Sequence, residues 1–237
     1  MPEAFASLLR TLVVALFLLT FLLQPFLIPS ESMERTLLVG DFLLVNKQVL
    51  SPAGTVGRWL MPYRDVERGD VVVFHHPDPA YLVKRVIGLP GDHVRIAKGQ
   101  VYINGAALQE PYAVYEPALV SRFRDNFPGG SGPEDPSVDP AWWQQMRGLT
   151  EDGALVVPKG ELFVMGDNRN HSDDSRYWGL VPRSAIVARP LVIYFSLRKK
   201  SSTDVQAGAN DRLGHNSGFS ARVAAFARWK RIFTVVR

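Results

Sequence analysis

The chain has 237 residues, 46% hydrophobic and 21% charged, with a formal net charge of +4 and 0 Cys. That length and balance fit one fair-sized globular domain with attachments, and the lack of cysteine excludes a disulfide framework and thiolate chemistry. A uniformly basic nucleic-acid-binding face is excluded too, because from Arg198 onward nine Lys/Arg stand against two Asp/Glu and the positive excess sits in a tail.

Leu8 to Leu23 is apolar except for Arg10, Thr11 and Thr20. With the lead-in from Ala4, about 20 residues suffice to span a bilayer, and Arg10 can reach back to the headgroups. A cleavable leader is the alternative. Gln24-Pro25-Phe26 is bulky where a cleavage site needs small residues, so the expectation is an uncleaved single anchor within residues 1–25. The charges flanking the span place the amino terminus inside and the rest of the chain outside.

Pro29 biases Ile28 towards an extended backbone, so the chain leaves the apolar run as a strand-like segment. Ser30 and Ser32, spaced i, i+2, point the same way along it. One can serve as a nucleophile while the other donates to the same oxygen; a polar linker is the plainer reading.

From Asp41 the pattern is β. Phe42–Val45, Val71–Phe74, Tyr81–Ile87, Val94–Ala97, Val101–Ile103, Leu155–Val157, Leu162–Met165 and Ile186–Phe195 are short apolar or alternating runs. Turn signals separate them, and Lys98-Gly99 and Asn104-Gly105 predict consecutive hairpins. Pro190 is expected to bend the last run or put it at an edge. Phe127–Pro140 is loop-like, with a short helix over Ala141–Arg147. The fold expected is mainly β. An antiparallel catalytic core takes 26–103 and 161–200, a smaller β subdomain is inserted at 104–160, and one amino-terminal transmembrane helix precedes both.

Residues 201–237 are read as a linker and a basic amphipathic tail. Ser201–Gly218 is rich in Ser, Gly and Asn. Val223, Phe226, Trp229 and Val236 recur at helical spacing among arginines and lysines, which suits an anionic membrane surface or docking on the domain.

Two further stretches carry chemistry. In Tyr81–Ile87, period two puts Lys84 on the face of Leu82 and Val86. Desolvation there lowers an ammonium pKa and makes a neutral general base available. The polar run from Gly166 to Gly179 follows a strand. In it Asp174 and Arg176 can pair, Ser172 or Ser175 can hold a lysine, and Gly166 permits close approach. His171 beside Asp173 invites a Ser-His-Asp reading, but no G-x-S-x-G elbow accompanies it. The histidines show no metal-ligand grouping, and neither a metal nor a cofactor is expected.

Together these stretches resemble bacterial type I signal peptidases, membrane-bound serine–lysine endopeptidases. Pro29-Ser30-x-Ser32-Met33-x-x-Thr36-Leu37 resembles the nucleophile box and Arg68–Phe74 the next strand box. Lys84–Asp92 resembles the lysine box, and Gly166–Arg169 through Tyr177-Trp178-Gly179 the last. The resemblance implies that Ser32 is the nucleophile and Lys84 its base. It implies that Ser30 and the Ser32 N–H bind the oxyanion, that Ser172 orients Lys84, and that Asp174, Arg176 and Gly166 support the loop. Substrate pockets would fall on Phe26, Ile28, Pro29, Met33, Leu37 and Val83. The implied partners are preprotein signal peptides with small residues before the scissile bond, and membrane lipid. The implied location is the bacterial cytoplasmic membrane, with the catalytic part on its outer side.

Arg35 departs from the family pattern, which has proline there, and Glu31 and Glu34 flank the nucleophile. A DNA-binding self-cleaving serine–lysine peptidase would need a different amino-terminal domain. A catalytically silent membrane β module that binds signal peptides is the rival from another class.

Overall fold

Residues 2–17, 23–47, 64–77, 81–115, 121–129, 135–198 and 226–236 are described by the structure, a computed structural model. The chain divides into two units, one of 1–30, 37–46 and 190–236 and another of 31–36 and 47–189. Every adjacent strand pair in the two sheets of the second unit is antiparallel, as are the first two strands and the last two, in keeping with the alternating runs and close turns.

In the first unit, helix α1 (Pro2–Phe17) exposes Phe5, Leu8, Leu9, Leu12, Val13, Val14 and Leu16. Thr11 donates its hydroxyl to Ser7 O at 3.0 Å, which keeps a polar group satisfied within an apolar helix. Among the described residues no helix is long and apolar enough to cross a membrane; positions 18–22 of the expected span lie outside the described residues. The chain resumes as β1 (Leu23–Leu27), paired with β2 (Asp41–Asn46) from Leu23↔Asn46 to Leu27↔Phe42. Pro25 is tolerated because β1 is an edge strand.

The run broken by Pro190 forms one eleven-residue strand, β12 (Ile186–Ser196). Its irregularity lies upstream, where the register shifts between Ile186 and Ala188. Pro190 marks instead the point where the chain passes between the units. Of the stretch read as helical from Val223 to Val236, Phe226 is α-helical among the described residues and the chain after it is not. Trp229–Arg231 make a 3-10 turn, and β13 (Thr234–Val235) pairs with Val192 and Ile193 of β12. A short helix is marginal alone, whereas here the backbone finds a strand and Arg231 finds a buried carboxylate, Asp41. The expected linker, 201–218, lies outside the described residues.

The second unit holds two sheets. In one, residues 186–189 of β12, then β3 (Val71–His75), β4 (Tyr81–Gly88), β10 (Glu161–Met165) and β11 (Val181–Pro182) lie side by side. In the other the order is β7 (Ala106–Ala107), β6 (Gln100–Ile103), β5 (His93–Ala97), β9 (Ala154–Val156) and β8 (Thr150–Glu151). Lys98-Gly99 and Asn104-Gly105 make the expected hairpins, with φ of 50° and 81° and of 51° and 81°. Both central residues have positive φ, as a two-residue turn matching the strand twist requires. Asp152-Gly153 does the same between β8 and β9.

Both faces of the central strands are covered. Val86 of β4 and Leu162 and Val164 of β10 join one apolar core with Val72 and Phe74. Ile87, Phe163 and Met165 join another with Val94, Val101, Leu155 and Trp142. Strand β4 is therefore buried on both faces, like a strand of a covered parallel sheet, and its polar residues must find partners inside the protein.

Helix α2 (Arg122–Asp125) and helix α4 (Ser175–Trp178) are single turns that no periodicity announces. Helix α3 (Pro140–Gly148) matches the expected short helix. Asp139 caps it by accepting from Ala141 N and Trp142 N, and Pro140 occupies its first position. Its Trp142 lies beneath Gly179, where a Cβ would come within 2.9 Å of the indole and φ is 107°.

Candidate active site

The site is assembled within the second unit from three pieces of chain: the 31–36 turn, strand β4 and the loop after β10. Asn168 N–H donates to Ser32 O at 3.1 Å, which brings the loop against the serine. Gly166 makes that approach possible. A Cβ there would sit 2.3 Å from Ser172 Oγ and 2.4 Å from Ser32 O, far inside any carbon–oxygen contact. The small residue is needed for space, not for backbone freedom.

Lys84 is 3% exposed, and its Nζ donates to Ser172 Oγ at 3.1 Å. Ser172 in turn donates to Asp174 Oδ2 at 2.8 Å. The hydroxyl has one proton, and Asp174 holds it, so Ser172 receives an N–H from Lys84. A neutral amine so held keeps its lone pair for another proton.

Asp174 is wholly buried and well supported. It accepts from Gly166 N at 3.1 Å and from Arg176 Nε and Nη2, both at 2.8 Å, and it caps the turn of α4. Arg176 also donates to Arg169 O at 3.0 Å, and its own carbonyl accepts from Trp142 Nε1 at 3.2 Å. Helix α3 thus braces the loop from behind. Ser175, the other serine considered for the lysine, instead accepts from Val164 N at 2.9 Å and ties the loop to β10.

Burial among apolar side chains lowers the Lys84 pKa to about 8, against opposing pulls from Asp174, Asp173 and Asp167. Desolvation prevails because a lysine charge is costly away from water. Asp174 has the opposite balance: burial raises its pKa, but Arg176 and Lys84 outweigh that and hold it low.

Alternation along the sequence puts Lys84 on one side of β4 and assigns nothing to its neighbour Arg85. Both are buried. Arg85 donates to Asp167 from Nε at 2.8 Å and Nη2 at 2.7 Å, and Thr36 Oγ1 also donates to that carboxylate. One buried ion pair therefore joins the lysine strand, the loop and the serine turn. Tyr112 stacks on Arg85 at 4.0 Å, while Arg169 pairs with Glu110, both nearly inaccessible. The adjacent cations Lys84-Arg85 and the pair Gly166-Asp167 were the visible signal for this network; nothing in the sequence linked Glu110 to it.

Of the remaining predicted residues, Met33 and Val83 are buried in the second unit. In the first unit Ile28 and Leu37 are buried, Phe26 is half-buried, and Pro29 and Ser30 are exposed. His171 and Asp173 are exposed, in alternation with the buried Ser172 and Asp174, which removes the footing for a histidine triad. Among the described residues no group of His, Asp and Glu is placed to hold a metal ion. Arg35, where the family pattern has proline, takes φ of 82°, a value that proline's ring forbids.

The family model described as "Signal peptidase, peptidase S26" matches residues 1–195. The chain belongs to this family. Signal peptidase I of Pseudomonas aeruginosa is 35% identical over 207 residues, covering 80% of this chain and 71% of the relative. Signal peptidase I of Pseudomonas fluorescens is 36% identical over 209 residues, with the same coverage. Probable signal peptidase I-2 of Synechocystis sp. is 33% identical over 198 residues, again covering 80% and 71%. The resemblance carried by the four boxes is thus borne out at the level of the family, and the chain is an enzyme of the signal peptidase I type.

Proposed function

We propose that the chain is a membrane-anchored endopeptidase that cleaves signal peptides from exported preproteins, with Ser32 as nucleophile and Lys84 as general base. The observation that carries this reading is the buried Lys84 amine, which donates to a Ser172 hydroxyl already committed to Asp174. A lysine with a pKa near 8 has a useful neutral fraction at neutral pH, which an ordinary lysine lacks.

Lys84 takes the Ser32 hydroxyl proton as Oγ bonds to the scissile carbonyl carbon. The oxyanion is received by the Ser32 N–H and, following the family resemblance, by the Ser30 hydroxyl. The Lys84 ammonium then protonates the leaving amine, the peptide bond breaks, and an acyl ester remains on Ser32. A water, deprotonated by Lys84, attacks that ester and frees the signal peptide carboxylate. Asp174, Arg176 and Gly166 hold Ser172 and the loop in place while this proceeds.

The substrate is read as an added strand whose backbone hydrogen bonds set the register. Small side chains before the scissile bond would enter pockets on Phe26, Ile28, Pro29, Met33, Leu37 and Val83. The exposed apolar side chains of α1 and the apolar run onward to Leu23 support a single anchor, with the catalytic part outside the cytoplasm. The layout read from the sequence, a β core with an insertion at 104–160, is retained as part of this proposal.

Incubating the detergent-solubilised protein with a preprotein, beside Ser32→Ala and Lys84→Ala variants, tests the reading. Cleavage by the parent chain and by neither variant is the expected result. No cleavage by the parent, with retained binding of the signal peptide, would favour the silent binding module.

A further inference from the structure

The first unit contains a charged cluster that the catalytic reading does not use. Asp41, at the start of β2, is fully buried. Its carboxylate accepts from Ser196 Oγ at 2.6 Å, Leu38 N at 2.8 Å, and Arg231 Nη2 and Nε at 2.6 Å and 3.2 Å. Arg228 approaches it to 3.8 Å and donates from Nε to Ser196 Oγ at 2.9 Å. The same Arg228 guanidinium donates to Leu197 O at 2.6 Å and to Val39 O.

Backbone bonds fasten the same assembly. Leu197 N donates to Gly40 O at 2.8 Å and Arg228 N to Ser196 O at 2.9 Å. Gly40 takes φ of 89°, and a Cβ on it would lie 2.6 Å from Leu197 O, so this approach of two backbones requires glycine.

Asp41 faces two ways. Its side chain is gripped by two arginines from the last stretch of the chain. The Gly40-Asp41 backbone grips Ile28: Ile28 N donates to Asp41 O at 2.9 Å, and Gly40 N donates to Ile28 O at 3.0 Å. With both guanidiniums removed the buried carboxylate is a charge without a counter-ion, and the turn carrying it relaxes towards water together with the bonds to Ile28.

We propose that the carboxy-terminal segment Phe226–Val236 is a positioning element for substrate binding. Arg228 and Arg231 clamp Asp41, and Asp41 in turn holds Ile28 in the extended course that receives the signal peptide. The inference rests on the reading of Ile28 as a substrate-lining residue. These two arginines act through Asp41 and touch no substrate. Both are partly buried, each side chain 21% exposed, whereas Lys230 beside them is exposed.

The test uses the full chain in detergent with a preprotein substrate. Arg228→Gln/Arg231→Gln, Arg231→Lys and Lys230→Gln are compared with the parent by initial rates, after titrating active sites with an acylating inhibitor. The double glutamine variant should raise KM about tenfold with kcat per active site within about twofold. Arg231→Lys, which keeps the charge on Asp41, should recover most of that loss, and Lys230→Gln should match the parent. Unchanged KM in the double variant overturns the proposal. So does a fall in the titrated active fraction with unchanged KM and kcat per site, which is the mark of a merely structural role. A parent chain that cuts no preprotein removes the peptidase reading itself, and this role with it; a cutting parent beside an unaffected double variant removes only the clamp.

Discussion

Lys84 Nζ donates to Ser172 Oγ at 3.1 Å while Ser172 donates its only proton to Asp174 at 2.8 Å. The direction of this relay matters more than its lengths. An amine that gives an N–H to Ser172 keeps its lone pair pointed away from it, as the proposed role of Lys84 as general base requires.

Lys84→Met should abolish cleavage and stabilise the protein near pH 7. The folded pKa is about 8 against 10.5 for an ordinary lysine, a difference of roughly 3 kcal/mol. Between those values the unfolded chain binds a proton that the folded chain forgoes, so stability of the parent rises with pH there. Its penalty is complete below about pH 8 and is gone above about 10.5. Denaturant midpoints across that range should show the methionine variant's advantage shrinking, at most roughly 3 kcal/mol at the start. Cleavage by the parent should rise through pH 8 as the amine loses its proton.

Gly166→Ala should cut the rate sharply with little change in far-ultraviolet circular dichroism. The added methyl must displace Ser172 Oγ or Ser32 O, each under 2.5 Å from its position. A shift of about 1 Å in a catalytic group costs on the order of a hundredfold. A rate within threefold of the parent would mean that the loop has room to retreat.

Arg35 offers a test of backbone conformation. With φ of 82°, Arg35→Gly should keep activity and change stability by less than about 1 kcal/mol, since relief of strain and added unfolded-state freedom oppose each other. Arg35→Pro would restore the residue usual in the family, yet it should destabilise by more than about 1 kcal/mol because proline fixes φ near −65°. Equal midpoints for the proline variant and the parent would show that this turn does not need the left-handed conformation.

Asp174 and Arg176 should behave as one unit. Their side chains are 0% and 2% exposed, and losing either leaves the other charge buried without its partner. Asp174→Asn and Arg176→Met should each lose about 3–5 kcal/mol. The double variant should lose less than the two singles combined. Strict additivity in the denaturation midpoints would dissolve the pair as a structural unit.

Local chemistry explains what was legible in the chain itself. Period-two alternation and the Lys98-Gly99 and Asn104-Gly105 turns specify hairpins through the φ values their residues accept, and the structure has them where they were read. Asp152-Gly153 carried the same signal and the run after it was legible, but the two-residue strand before it is too short for alternation to register. The serine, lysine and loop residues were likewise legible as polar groups set in apolar or extended surroundings.

Tertiary structure decided which charges go inside. Lys84 and Arg85 are adjacent on one strand, where alternation alone would expose one of them; both are buried because apolar cores cover both faces of β4. Arg231 reaches Asp41 across 190 positions, and Thr234–Val235 pair with β12 where the spacing towards Val236 suggested a helix. Side-chain spacing is a local property, so it can announce a strand or a turn. Desolvation and ion pairing depend on what the rest of the chain brings to each face, and only the fold supplies that.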